Sequence, residues 1–127
     1  MGILKNKRAR LRSKARRGFR GFPAATIAFY GPNANFASKI AVGIVRHKGQ
    51  EPEMHRFFSD TVDLRENDEI GEQVLDLLKR EGILSVAMLD RIIGCPHEEG
   101  VDFPEGEKCP RCPFWASRDR FTHETIQ

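Results

Sequence analysis

Several familiar readings find nothing to rest on in this sequence. No apolar run approaches the roughly 18 residues needed to span a bilayer, which argues against a membrane-spanning helix. The start of the chain lacks an apolar h-region, so ordinary secretion is not expected and a cytoplasmic location is. Cysteine is scarce: there are three, an odd number, and two of them form Cys109-x-x-Cys112. That count speaks against a disulfide framework and for metal binding in a reducing compartment. There is no glycine-rich phosphate loop, nucleophile elbow, thioredoxin pattern or internal repeat. Acid is missing from one region altogether, since residues 1–22 contain no Asp or Glu.

What fills that region is cationic. Lys5, Lys7, Arg8, Arg10, Arg12, Lys14, Arg16, Arg17 and Arg20 give residues 1–22 a charge of +9, while residues 23–127 hold 12 basic and 18 acidic side chains, or −6. The formal net charge of +3 therefore conceals a cationic arm on a mildly acidic body. Ile3, Leu4 and Leu11 make no sustained apolar face, so alone the arm is expected to be disordered or a fraying helix. Nine cations at this density suit a polyanion, and each phosphate they neutralise adds about 0.7–0.9 to the salt slope of binding. Phe19 and Phe22 interleave with Gly18, Arg20 and Gly21 and offer rings for stacking on exposed bases. An organelle-targeting segment fits less well, with Ser13 its lone serine, and so does an interfacial helix, which needs a Leu/Trp/Phe stripe.

The 127 residues allow one globular domain, residues 23–127, beyond the arm of residues 1–22. Three strand-like runs follow Pro23: Ala24 to Tyr30, Lys39 to Val45, and the shorter Met54 to Phe58, separated by turn-forming clusters. In the second run Ile40, Val42 and Ile44 share one face, and Ala41, Gly43 and Val45 the other, whose small residues would let another layer approach. Asn67 to Glu81 reads as a helix, with Ile70, Val74, Leu77 and Leu78 on one stripe, Asn67 as cap and Gly82 as stop. The nearly continuous apolar run from Leu84 to Leu89, with Ile92 and Ile93 beyond, suggests a parallel strand buried on both faces. The fold class is α/β, of order β-β-β-α-β: an antiparallel meander plus one parallel strand in a mixed sheet, with an appended zinc-ribbon-like loop and a basic N-terminal arm.

The loop, residues 94–115, carries the metal signal. Cys95, His97, Cys109 and Cys112 form a Cys₃His set, a frequent closed tetrahedral zinc site, and Cys-Pro-x-Cys-Pro is a tight knuckle presenting two thiolates to one ion. The stretch from Val101 to Lys108 has little apolar content, so one structural zinc would supply the order that packing cannot. His97-Glu98-Glu99 with Cys109-x-x-Cys112 also matches the two halves of a zinc deaminase signature, which would make Glu98 or Glu99 the proton shuttle. Lys108 stands where that signature has proline, the gap between the halves is short, and Cys95 closes the position a water would need. No catalytic residue is therefore assigned.

The strand order also opens the ribonuclease H-like fold, whose two-ion chemistry needs carboxylates on adjacent strands. The first strand has none, Asp90 would stand alone, and Asp60 and Asp63 are only possible helpers. His47, His55 and His123 are isolated, although His55 beside Arg56 could line a nucleic-acid surface on the sheet.

The run from Asp90 through Cys95, His97, Cys109 and Cys112 to Trp115 resembles a segment of small hypothetical bacterial proteins, with similarity extending over about residues 22–121. That family carries no established activity, so the resemblance implies nothing about catalysis. The knuckle is similar to those of zinc ribbons and rubredoxins, which implies metal binding alone. Together these features point to a non-enzymatic zinc-containing protein that binds structured RNA or the ribosome through its arm. The alternatives are a zinc-dependent deaminase or hydrolase, and a protein–protein adapter with a targeting or solubilising arm.

Overall fold

The computed structural model describes residues 2–98, 101–106, 110–112 and 114, with the side chains of residues 2–8 and 90 outside that set. Its elements run α1 (Gly2–Arg16), β1 (Ala24–Tyr30), β2 (Lys39–Val45), β3 (Glu53–Phe58), α2 (Asp68–Arg80) and β4 (Ser85–Ile92). The strands form one mixed sheet in the order β3-β2-β1-β4. β1 pairs antiparallel with β2 and β2 antiparallel with β3, while β4 lies parallel to β1. This is the expected meander plus a parallel fourth strand.

One face of the sheet is the core. Ala25, Ile27 and Phe29 of β1 alternate with outward residues, and Ile40, Val42 and Ile44 of β2 continue the same surface. α2 covers it with Val74, Leu75, Leu77 and Leu78, each burial stabilising by about 1.5–3 kcal/mol relative to exposure. The helix begins where Asn67 Oδ1 accepts the Ile70 N–H at 2.8 Å, and Asp68 and Glu69 meet its positive end. Beyond its end Gly82 takes φ +66°, the left-handed region that glycine enters without a Cβ penalty.

β4 differs from the expectation. It is an edge strand with Ala87 exposed and Leu89 46% exposed, so Val86 and Ile92 are buried in the core, Met88 packs against it partly buried, and the strand is not covered on both faces. The helices pack on the core side, and the described residues leave Ala87 and Leu89 of this edge strand uncovered. A bulge between the Ile27 and Phe29 positions inserts extra residues into β4 between Met88 and Ile92.

The basic segment differs as well. Where the sequence reads as a disordered or fraying arm, Gly2–Arg16 form α1, which packs against α2 and β4. The anchor is Leu11, 3% exposed within the core cluster, with Ala15 half-buried beside it. One leucine a turn away from one alanine is too sparse a pattern to announce a docked helix, yet it suffices because α2 and Val86 are already in place. Arg10 and Lys14 line a groove with Glu72 and Asp76 of α2. Just past the end of α1, Gly18 takes φ +73° and its N–H donates to the Ala15 carbonyl at 3.2 Å.

Candidate metal centre and cationic turn

The C-terminal ends of the two parallel strands lie side by side. The Ile93 N–H donates to the Phe29 carbonyl at 2.9 Å and the Gly31 N–H to the Gly94 carbonyl at 2.8 Å, carrying the pairing past both strands. Gly31 is required there, because a Cβ would collide with the Phe36 carbonyl oxygen. The chain leaving this point is Cys95-Pro96-His97-Glu98.

Cys95, His97 and Cys112 come together, their ligand atoms all within 4.8 Å of one another. His97 Nδ1 lies 3.2 Å from Cys95 Sγ and 3.5 Å from Cys112 Sγ. A tetrahedral ion with bonds of about 2.0–2.3 Å sets its ligands about 3.5 Å apart, so the three donors fit such an ion. The His97 backbone N–H donates to Cys95 Sγ at 3.2 Å, which ties the two ligand residues together. Cys112 is 3% exposed and belongs to the core cluster, which fixes one donor on the body of the protein. Cys109, the fourth expected ligand, lies outside the described residues, as does Glu99.

Two side chains that the sequence pattern does not place in the site lie beside its Cys-x-His half: Lys39, which bonds both Pro96 and Glu98, and Arg56, which bonds Glu98 alone among these. Lys39, the first residue of β2, is only 3% exposed. Its Nζ donates to the Pro96 carbonyl at 3.0 Å and to Glu98 Oε2 at 2.7 Å. It also sits 5.4 Å from the Tyr30 ring centroid and 5.7 Å from that of Phe58, within cation–π range. Arg56 grips the same carboxylate with two bonds, Nε to Oε2 at 2.7 Å and Nη2 to Oε1 at 3.1 Å. Hydrogen bonds from Lys39 and then Arg56 hold the Glu98 carboxyl below its ordinary range, outweighing partial burial.

Glu98 is thus a clamped ionic link between loop and sheet rather than a solvated loop charge. A carboxylate stabilised in this way is poorly suited to carrying a proton. The cleft of about 430 Å³ beside it is lined by Lys39, Arg56, Phe58, His97 and Glu98 among others. The sequence holds a faint signal of this arrangement: in the antiparallel register Lys39 stands opposite Tyr30, a cation–aromatic cross-strand pair.

The other sequence-derived candidates fare differently. Asp63 is structural, its Oδ1 accepting the N–H groups of Ala37 at 3.2 Å and Arg65 at 3.0 Å. His55 lines a groove with Gln73, Asp76 and Arg80 of α2, while the Arg56 guanidinium is committed to Glu98.

At the opposite end of the sheet lies the cationic turn. Arg16, Arg17 and Arg20 are exposed, Arg10 too, while Arg12 and Lys14 are half-buried. Lys5, Lys7 and Arg8 stand in α1, with side chains outside the described set. Ser85 of β4 fastens the turn: its hydroxyl donates to the Gly21 carbonyl at 2.7 Å and accepts the Arg20 N–H at 2.7 Å. Phe19, 70% exposed, and Phe22, 36% exposed, meet edge to face at 5.3 Å.

Comparison of the chain with protein-family models, with curated proteins and with solved structures finds no match in any of the three. No helix among the described residues is long and apolar enough to cross a membrane.

Proposed function

We propose that this chain is a non-enzymatic nucleic-acid-binding protein whose C-terminal loop is held by one structural zinc. The observation that carries the binding half is the turn after α1, where Phe19 stands exposed beside Arg16, Arg17 and Arg20 and is fastened to the body through Ser85. Arginines neutralise phosphates while an exposed ring stacks on a base, the combination used on single-stranded and looped RNA. Structured RNA, such as that of a ribosome, is the preferred partner, because the exposed rings of Phe19 and Phe22 offer stacking surfaces to unpaired bases. A cytoplasmic location belongs to the same reading.

For the metal half, thiolates with an imidazole select zinc among the common ions. Cys95, His97 and Cys112 would hold it, with Cys109 as the fourth ligand, and a four-ligand set leaves no site for a water. With Glu98 occupied by Lys39 and Arg56, the deaminase or hydrolase reading loses its best proton carrier among the described residues.

The test is fluorescence anisotropy with a labelled structured RNA between about 50 and 200 mM salt, a range over which binding through several phosphates weakens steeply. Salt-insensitive binding, or none, sinks the proposal. Capture of a protein partner undiminished by salt would favour the adapter reading instead.

A further inference from the structure

The metal reading leaves Lys39 unexplained, and its surroundings are unusual. A lysine at the start of a sheet's second strand normally reaches water, yet this one is 3% exposed. Its ammonium is wrapped by the rings of Tyr30 and Phe58, a carboxylate oxygen of Glu98 and the carbonyl of Pro96. Pro96 is the residue between Cys95 and His97. Its carbonyl belongs to the peptide leading directly into His97, so whatever holds that oxygen fixes the distance and angle between the two ligands.

We propose that Lys39 is a positioning residue for the metal centre: from the sheet, it pins the Pro96 carbonyl and so sets Cys95 Sγ and His97 Nδ1 at ligand spacing before an ion arrives. This inference rests on the metal reading above and deepens it. Two features of the geometry support it. The Cys95–His97 pair is already at 3.2 Å, and the bond to Pro96 ties the loop to β2, an element that is otherwise part of the core. Charge points the same way. Three thiolates around a divalent ion leave a centre of −1, and the Lys39–Glu98–Arg56 group beside it carries +1, so the loaded assembly is neutral. Arg56 shares the carboxylate but makes no bond to Pro96 among the described residues, which gives it a different role: it balances Glu98 and does not shape the ligand pair.

The experiment compares Lys39→Met, Arg56→Met and the double variant Lys39→Met/Glu98→Met with the full-length wild type. Each is titrated with cobalt(II), read by its visible ligand-field bands, and then with zinc in competition. Outer-sphere partners of metal ligands are typically worth 10–100-fold in affinity. Lys39→Met should weaken zinc binding at least tenfold and alter the intensity or position of the cobalt bands. Arg56→Met should bind within about threefold of wild type with unchanged bands. The double variant leaves no partly buried carboxylate without its lysine, so it tests positioning even if Lys39→Met alone folds poorly. It should bind as weakly as the single variant. A folded Lys39→Met or double variant with wild-type affinity and spectrum overturns the proposal, as does an equal loss in Arg56→Met. A wild-type chain that takes up neither ion fails differently, by removing the metal reading itself.

Discussion

Positive charge is used in two opposite ways at the two ends of this sheet. At one end Lys39 is buried among two rings, a carbonyl and a carboxylate, and Arg56 is committed to the same carboxylate. At the other, Arg16, Arg17 and Arg20 stand in solvent around an exposed phenylalanine. A buried cation is tolerated only with full compensation, and breaking such a pair costs about 3–5 kcal/mol. Exposed cations cost little to keep and contribute little to the fold, so their placement is explained by what lies outside the molecule. The seven residues of β1 separate the two ends by about 23 Å at strand spacing, far enough for each to be altered alone.

The sharpest way to break the comparison is at the metal end. Cys112→Ser removes a core-facing donor, and the expected result is loss of the single zinc and a lowered melting temperature. Elemental analysis and calorimetry read both. If the two ends are independent, RNA binding measured well below the new melting point keeps its salt slope. Next in size is Leu11→Ala, which should cost about 2–5 kcal/mol by emptying the seat of α1, as read from denaturant midpoints. A cost near zero would mean that α1 contributes nothing to the body.

At the cationic end, Arg16→Gln, Arg17→Gln and Arg20→Gln combined should lower the salt slope by about 0.7–0.9 for each phosphate no longer engaged, while leaving thermal stability unchanged. The smallest effect concerns Asp63. Burial pushes its carboxyl up, but hydrogen bonds from the Arg65 side chain and from the Arg65 and Ala37 backbone N–H groups together bring it below its ordinary 3.8. Its stabilising contribution is therefore complete above that value and lost as pH falls through the lower folded pKa. Asp63→Asn should flatten the acid limb of stability below about pH 4, an effect visible in acid titration of the melting temperature.

The strands and α2 are legible in the sequence because their signals are local. Alternation in Lys39–Val45, the Asn67 cap and the Gly82 stop each act within a few residues, and the structure places the strand limits within a residue of those expected for β1, β2 and β3. The parallel direction of β4 follows from its crossover through α2, whereas its place beside β1 is seen in the folded sheet alone. What escapes depends on residues far apart in the chain. Leu11 carries no periodic partner, so its seat against α2 and β4 cannot be read from residues 1–22 alone. Leu89 is apolar and so suggests burial, but an edge strand with one uncovered face leaves it in solvent. For the metal centre, residue types and spacing bring out Cys95, His97 and Cys112 directly, since ligand chemistry restricts the choice. The supporting Lys39 and Arg56 are 59 and 42 positions from Glu98, and only the folded sheet brings them to it.

Ser85 bears on how the cationic end would work. One hydroxyl on the edge strand, bonded in both directions to Arg20 and Gly21, acts as a bracket that aims Phe19 and Phe22 during folding. A flexible tail must surrender its wandering each time it captures a ligand. Here that surrender is made once, when the polypeptide collapses, and a base arriving as proposed would meet rings already held in place.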